Sequence, residues 1–224
     1  WAHPVPDAMS DEQAAALPVA LQTAHDALTG AGQLQAGQSV LVLGASSAVG
    51  LMAMQVARVL GASQVIGTST TADRLNLLTE FGATKVVNTR DEDWSRQVLK
   101  ATKMKGVDLV IDFLAGPLFN ATMQATRIGG RIVNVGRMAG ETGAVDFDQH
   151  SMRRIQYVGT TFRTRSPAEI GAVIELARHA LMPALKDGQL RMPLDCVMPR
   201  SQATEAFARM RANAHFGKIV LTCD

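Results

Sequence analysis

Residues 38–62, QSVLVLGASSAVGLMAMQVARVLGA, limit what this chain can fold into more than any other stretch. Val40-Leu41-Val42-Leu43 is an unbroken apolar run, the pattern of a strand covered on both faces. A turn of small residues follows, Gly44-Ala45-Ser46-Ser47-Ala48-Val49-Gly50. Met52, Val56, Val59 and Leu60 then recur at helical spacing, and Gly61 stands where a helix C-cap is expected. Strand, small-residue turn and helix in that order predict a place for a dinucleotide. Small residues let backbone approach a pyrophosphate, and a helix N-terminus offers it free N–H groups and partial positive charge. The turn departs from G-x-G-x-x-G, because its middle small positions are Ser47 and Ala48.

The rest of the chain repeats the alternation. Strands are predicted over 64–68, 85–88, 107–113 and 131–135, with helices over 73–81, 93–103 and 116–126 between them. Strands separated by helices of this length predict a parallel sheet with right-handed crossovers. The expected fold class is therefore α/β, a Rossmann-type doubly wound parallel six-stranded sheet with helices on both faces. Residues 154–162 supply its sixth strand, at the sheet edge. Residues 23–32 read as a helix ending in glycines. Before them, Pro4, Pro6 and Pro18 predict an extended lead-in, and Ser10 ahead of Asp11 and Glu12 predicts a short capped helix. After Pro167 come a long helix, a turn at Asp187-Gly188, a strand over 191–198, a helix over 202–212 and a strand over 218–223. This tail exceeds what a nucleotide-binding sheet needs.

Composition removes several function classes. Of 224 residues 47% are hydrophobic and 19% charged, so a large core can be buried and disorder is not expected. A net charge of +2 gives no basis for nucleic acid or an acidic membrane as partner. No apolar run reaches twenty residues and no leader pattern is seen, so a cytoplasmic protein is expected. Cys196 and Cys223 are the only cysteines, and neither a disulfide nor a metal site is predicted. His3, His25, His150, His179 and His215 show no paired acid or nucleophile and read as surface or helix-end residues.

The end of the second strand chooses between dinucleotides. A carboxylate there binds a ribose 2′-hydroxyl and repels a 2′-phosphate. This chain has instead Gly67-Thr68-Ser69-Thr70-Thr71 and then Arg74, while Asp73 complements the dipole of the following helix. NADP is therefore the expected cofactor. Val135, Gly136 and Arg137, beyond the fifth strand, are expected on the nicotinamide side. Asp112 reads as a loop hydrogen-bonding group rather than a catalyst.

The ordered series VLVLGASSAVGLMAMQVARVLGA, GATKVVNTRDEDW, GVDLVIDF, IGGRIVNVG and ANAHFGKIVL resembles the zinc-independent quinone oxidoreductase branch of the medium-chain dehydrogenase/reductases. GTTFRTR (159–165) and LMPALKDGQLRMPLDCVMPRSQATEAFARM are similar to the tumour-suppressor-inducible quinone reductases within it, and zeta-crystallin is a more distant cousin. The resemblance covers nearly the whole chain. It implies NADPH-dependent hydride transfer to a small-molecule quinone or similar electrophile, without zinc. Enoyl or enone reduction on the same fold stays open, as does a catalytically incomplete nucleotide-binding and dimerisation module. It also implies a set of cofactor residues. Thr23 would face the nicotinamide, Ser46, Ser47, Ala48 and Val49 would form the pyrophosphate turn, and Arg74 would pair with the 2′-phosphate near Ser69. Thr89 stands where many relatives have tyrosine. Phe113 would lie on the adenine side, Gly136 and Arg137 with Thr161, Phe162 and Arg163 beside the nicotinamide, and Asn213 within reach of the cofactor. No catalytic residue is assigned. Domain bounds follow the same comparison: residues 1–20 lead in from a GroES-like catalytic domain that is absent here, 21–189 bind the dinucleotide, and 190–224 return to that domain. On this reading Trp1 stands at the join, in a truncated or excised cofactor domain. A homodimer through the 155–162 edge strand is the expected assembly.

Overall fold

The computed structural model describes residues 4–7 and 9–223; Trp1 and His3 lie outside them. Ser10 caps a short helix, α1 (Asp11–Ala16), by accepting from the Gln13 amide at 3.3 Å. Pro18 does not extend the lead-in as expected. It is the first residue of α2 (Pro18–Asp26), where its missing N–H costs nothing. A π-helical turn, Ala27–Ala31, continues α2 toward the sheet.

The sheet contains β1 (Ser39–Leu43), β2 (Gln64–Ser69), β3 (Lys85–Asn88), β4 (Val107–Asp112), β5 (Thr126–Asn134) and β6 (Gln156–Gly159). Its order is β3-β2-β1-β4-β5-β6, every neighbour parallel. The six-stranded Rossmann-like sheet expected from the alternation is thus present, with β6 at its edge. Between strands lie α3 (Ala48–Val59), α4 (Ala72–Leu78), α5 (Trp94–Ala101), α6 (Phe119–Ala125) and α7 (Phe147–Arg153); α8 (Pro167–Lys186) follows β6. Alternation of side chains divides each central strand between two cores. Val40 and Val42 pack with Leu21, Leu28, Leu51 and Met52 from α2 and α3, whereas Leu41 and Leu43 pack with Trp94, Val98 and Met123 from α5 and α6.

Three elements depart from the sequence reading. β5 reaches back to Thr126, past Gly129 and Gly130, instead of starting at residue 131. α7 has no counterpart in the sequence reading, because none of its residues is buried and no apolar stripe marks it. β6 covers only four of the nine residues read as a strand.

The tail forms β7 (Leu194–Pro199), α9 (Ala203–Arg211) and β8 (Lys218–Thr222), with β7 and β8 pairing in a separate two-stranded parallel sheet. Leu190, Met192 and Val220 enter the main core, and Gln55 on α3 exchanges two hydrogen bonds with the Arg191 backbone. No helix among the described residues is long and apolar enough to cross a membrane.

Candidate functional site

Register places the strand ends on one line: Leu43 lies beside Asp112, Asp112 beside Asn134, and Asn134 beside Gly159. Ligands of such sheets lie beyond this carboxyl edge. The turn after β1 is shaped for close approach. Gly44 has φ +76°, and a Cβ on Gly50 would stand 2.5 Å from the Gly44 carbonyl oxygen. Ser47 caps α3, accepting from the Gly50 amide at 3.1 Å while its hydroxyl donates to the Gly44 carbonyl at 2.8 Å. The amides of Ala48 and Val49 open the helix with no acceptor among the described residues, as an anion site requires. Thr68 pins the turn to β2. Its Oγ1 accepts from the Gly44 amide at 3.1 Å and donates to the Val42 carbonyl, and its own carbonyl accepts from Ala45.

At the end of β2 the Ser69 hydroxyl lies 3.5 Å from that of Ser46, and the Thr89 amide donates to the Ser69 carbonyl at 3.1 Å. Ser46, Ser69 and Thr89 are therefore brought together. Asp73, in the first turn of α4, is exposed. Arg74 is engaged by the tail: Nη1 donates to Asn213 Oδ1 at 3.1 Å, and Nη2 donates to the Asn213 and His215 carbonyls at 2.5 and 3.0 Å. The guanidinium keeps Nε and one Nη1 hydrogen uncommitted. His215 Nδ1 is buried without a partner among the described residues.

Past β4, Asp112 performs the loop role expected of it. Oδ1 accepts from the Leu114 and Ala115 amides at 2.8 and 2.9 Å, and Ala115 takes φ +55°. Burial pushes the Asp112 carboxyl above the usual carboxylate range, against the pull of those two amides, and its Oδ2 has no partner among the described residues. The Asp112 carbonyl accepts from Val135 and Gly136, and a Cβ on Gly136 would stand 2.8 Å from the Phe113 carbonyl oxygen. Phe113, Val135 and Gly136 thus form one knitted wall, with Arg137 exposed at its rim. Beyond β6 the Thr161 hydroxyl accepts from the Arg163 amide, and the Arg165 guanidinium carbon lies 5.1 Å from the centre of the Phe162 ring. Thr23 is half-buried on α2. His25, read as a surface or helix-end residue, is at the helix end but buried, and burial lowers its pKa. Thr68, and a group formed by Asp26, Thr160 and Arg165, are functional candidates that the sequence does not single out. Apart from the contact between Arg165 and Thr160, their partners are 24 to 139 residues away, and no local pattern marks them.

No three His, Cys, Asp or Glu side chains among the described residues cluster as metal ligands. The zinc-binding dehydrogenase family matches residues 48–179. The chain is 30% identical to a quinone oxidoreductase from Thermus thermophilus, solved also as its complex with NADPH, over 97% of this chain and 68% of that one, with a TM-score of 0.84. The CurK enoyl reductase is 28% identical over 98% and 65%, with a TM-score of 0.82. A highly reducing polyketide synthase of Arthrinium phaeospermum is 29% identical over 99% of this chain, which spans only 9% of that protein. With the matched residues running from the first residue of α3 into α8, the chain belongs to the zinc-binding dehydrogenase family, within the medium-chain dehydrogenase/reductases.

Proposed function

We propose that this chain is the cofactor-binding part of an NADPH-dependent reductase that delivers hydride to a quinone or a similarly conjugated acceptor. One observation carries the reading. The Gly44–Gly50 turn puts the free amides of Ala48 and Val49 at the carboxyl edge of the sheet, where a pyrophosphate gains most from the helix dipole. The choice of NADPH over NADH is supported by hydroxyls and Arg74 where a carboxylate would exclude the 2′-phosphate. It is also supported by the NADPH complex of the Thermus enzyme.

The bound nicotinamide supplies the hydride. The residues of this chain bind and orient. Ser46, Ser47, Ala48 and Val49 hold the pyrophosphate, and Ser69, Arg74, Thr89 and Asn213 surround the phosphorylated ribose. Val135, Gly136, Arg137, Thr161, Phe162 and Arg163, with Thr23 on α2, set the plane of the nicotinamide, and Phe113 lies on the adenine side. Positioning of this kind accounts for a large share of rate in such transfers. Although the family name includes zinc, no three His, Cys, Asp or Glu side chains among the described residues cluster as its ligands. The free outer edges of the β7–β8 pair fit residues 190–224 docking on a second domain.

A second reading, reduction of an activated C=C bond, is favoured by the polyketide synthase relative and by the structural likeness to an enoyl reductase. Both acceptors place an electrophilic carbon in conjugation with a carbonyl, so one hydride geometry serves both. Loss of NADPH absorbance is followed with the full-length reductase that carries this chain and either a benzoquinone or an enoyl thioester. Turnover of the quinone alone supports the first reading, and turnover of the thioester alone supports the second. Nucleotide binding with no turnover of either leaves a binding and dimerisation module and overturns both.

A further inference from the structure

Asp26 closes α2 with its side chain only 9% exposed. Its Oδ2 accepts two donors from one distant segment, Arg165 Nη2 at 2.8 Å and Thr160 Oγ1 at 3.0 Å. Arg165 Nη2 also lies 3.3 Å from Thr160 Oγ1, so the three groups close a triangle. The backbone makes room for it: a Cβ on residue 30, a glycine in the π turn, would stand 2.8 Å from Asp26 Oδ1. Arg165 Nη1 is buried with no partner among the described residues.

The two segments tied here are those expected to flank the nicotinamide. Thr23 stands one turn before Asp26 on α2, and residues 160–165 follow the carboxyl end of β6. Arg165 also stacks on Phe162, so its guanidinium supports the aromatic ring while its other end is held by Asp26. A buried ion pair is a poor source of stability, because desolvation offsets its attraction, but in some proteins such a pair fixes one arrangement of the elements it joins. We propose that Asp26 is a positioning residue: through Arg165 and Thr160 it holds Thr161 and Phe162 at a fixed distance from Thr23 across the nicotinamide. The proposal rests on reading this edge as an NADPH cleft.

The full chain is titrated with NADPH and with 2′,5′-ADP, which carries the phosphorylated adenosine but no nicotinamide. Wild type is compared with Asp26→Asn, Thr160→Val, Arg165→Met and Arg165→Lys. The expected result is a roughly tenfold loss of NADPH affinity in Asp26→Asn and Arg165→Met, with 2′,5′-ADP unchanged and the emission of bound nicotinamide shifted. Thr160→Val, which removes one hydroxyl and keeps the fold, shows the same selective loss to a smaller degree. Arg165→Lys, which keeps the charge and one donor, recovers part of it. Equal losses for both ligands would mean a merely structural role, and no loss in any variant would mean no role; either overturns the proposal while wild-type binding keeps the cofactor reading intact. Wild type binding neither ligand overturns the cofactor reading, and the proposal with it.

Discussion

Arg74 and Asn213, 139 residues apart, meet through a 3.1 Å hydrogen bond between Nη1 and Oδ1, and Arg74 also holds the Asn213 carbonyl. The cation expected to read the cofactor phosphate is therefore also the clasp on the turn between α9 and β8. Asn213 itself takes φ +52°, a backbone conformation that asparagine tolerates better than most residues.

Arg74→Ala tests the expected phosphate contact and removes the clasp. Losing a charge-assisted phosphate contact should cost about 1.5–3 kcal/mol of NADPH affinity, and NADH affinity should change little. Calorimetry with both nucleotides checks this. An unchanged NADPH preference would assign Arg74 to the clasp alone.

Gly50→Ala places a methyl group 2.5 Å from the Gly44 carbonyl oxygen, a backbone atom that cannot step aside cheaply. Overpacking of this kind costs about 1–3 kcal/mol, and the displaced turn should lose nucleotide binding. Thermal unfolding and an NADPH titration on the same sample read the two effects.

Asp112 gives stability a pH dependence. Burial raises its folded pKa, so its contribution is fully present below the ordinary carboxylate range and is lost as pH rises through the raised value. Asp112→Asn keeps an oxygen for the Leu114 and Ala115 amides and cannot ionise. Denaturant unfolding between pH 4 and 8, on the order of the range where carboxylates respond, should show the variant gaining on wild type as pH rises. Parallel curves would show that Asp112 does not titrate differently on folding.

The exposed edge of β6 fits a homodimer. Thr160 donates its amide to Asn134, so by alternation the Gly159 amide points away from the sheet. A Cβ there meets nothing within 4 Å. Gly159→Pro removes that outward donor and should convert a dimer to a folded monomer in light scattering. A monomeric wild type at micromolar concentration removes the dimer.

The sequence made legible what is local. The β1–turn–α3 unit, β3 and the capped start of α1 are written in consecutive residues, since apolar runs, caps and glycines act within a turn or two. Helix α7 escapes because Phe147 is 75% exposed and its helix buries nothing. Pro18 misleads because proline marks both extended chain and a helix start. In the candidate site, Ser46, Thr89, Phe113, Gly136 and Thr161 each follow a strand of the sheet, as their places in the sequence imply. What stays hidden is how the site is braced: Thr68 beneath the turn, Arg74 on the tail, and Asp26 on Arg165 are side-chain meetings across long separations, which no periodicity records.

The π turn at Ala27–Ala31 holds one residue more than an α-helical path would need, and this makes α2 sensitive to length rather than to side-chain identity. Removing one residue from 27–31 would let the turn relax into α-helix. The Asp26 side chain, which now fits against Gly30 in that turn, would lose the spacing the wide turn gives it. In this stretch a single-codon deletion is a larger change than most substitutions.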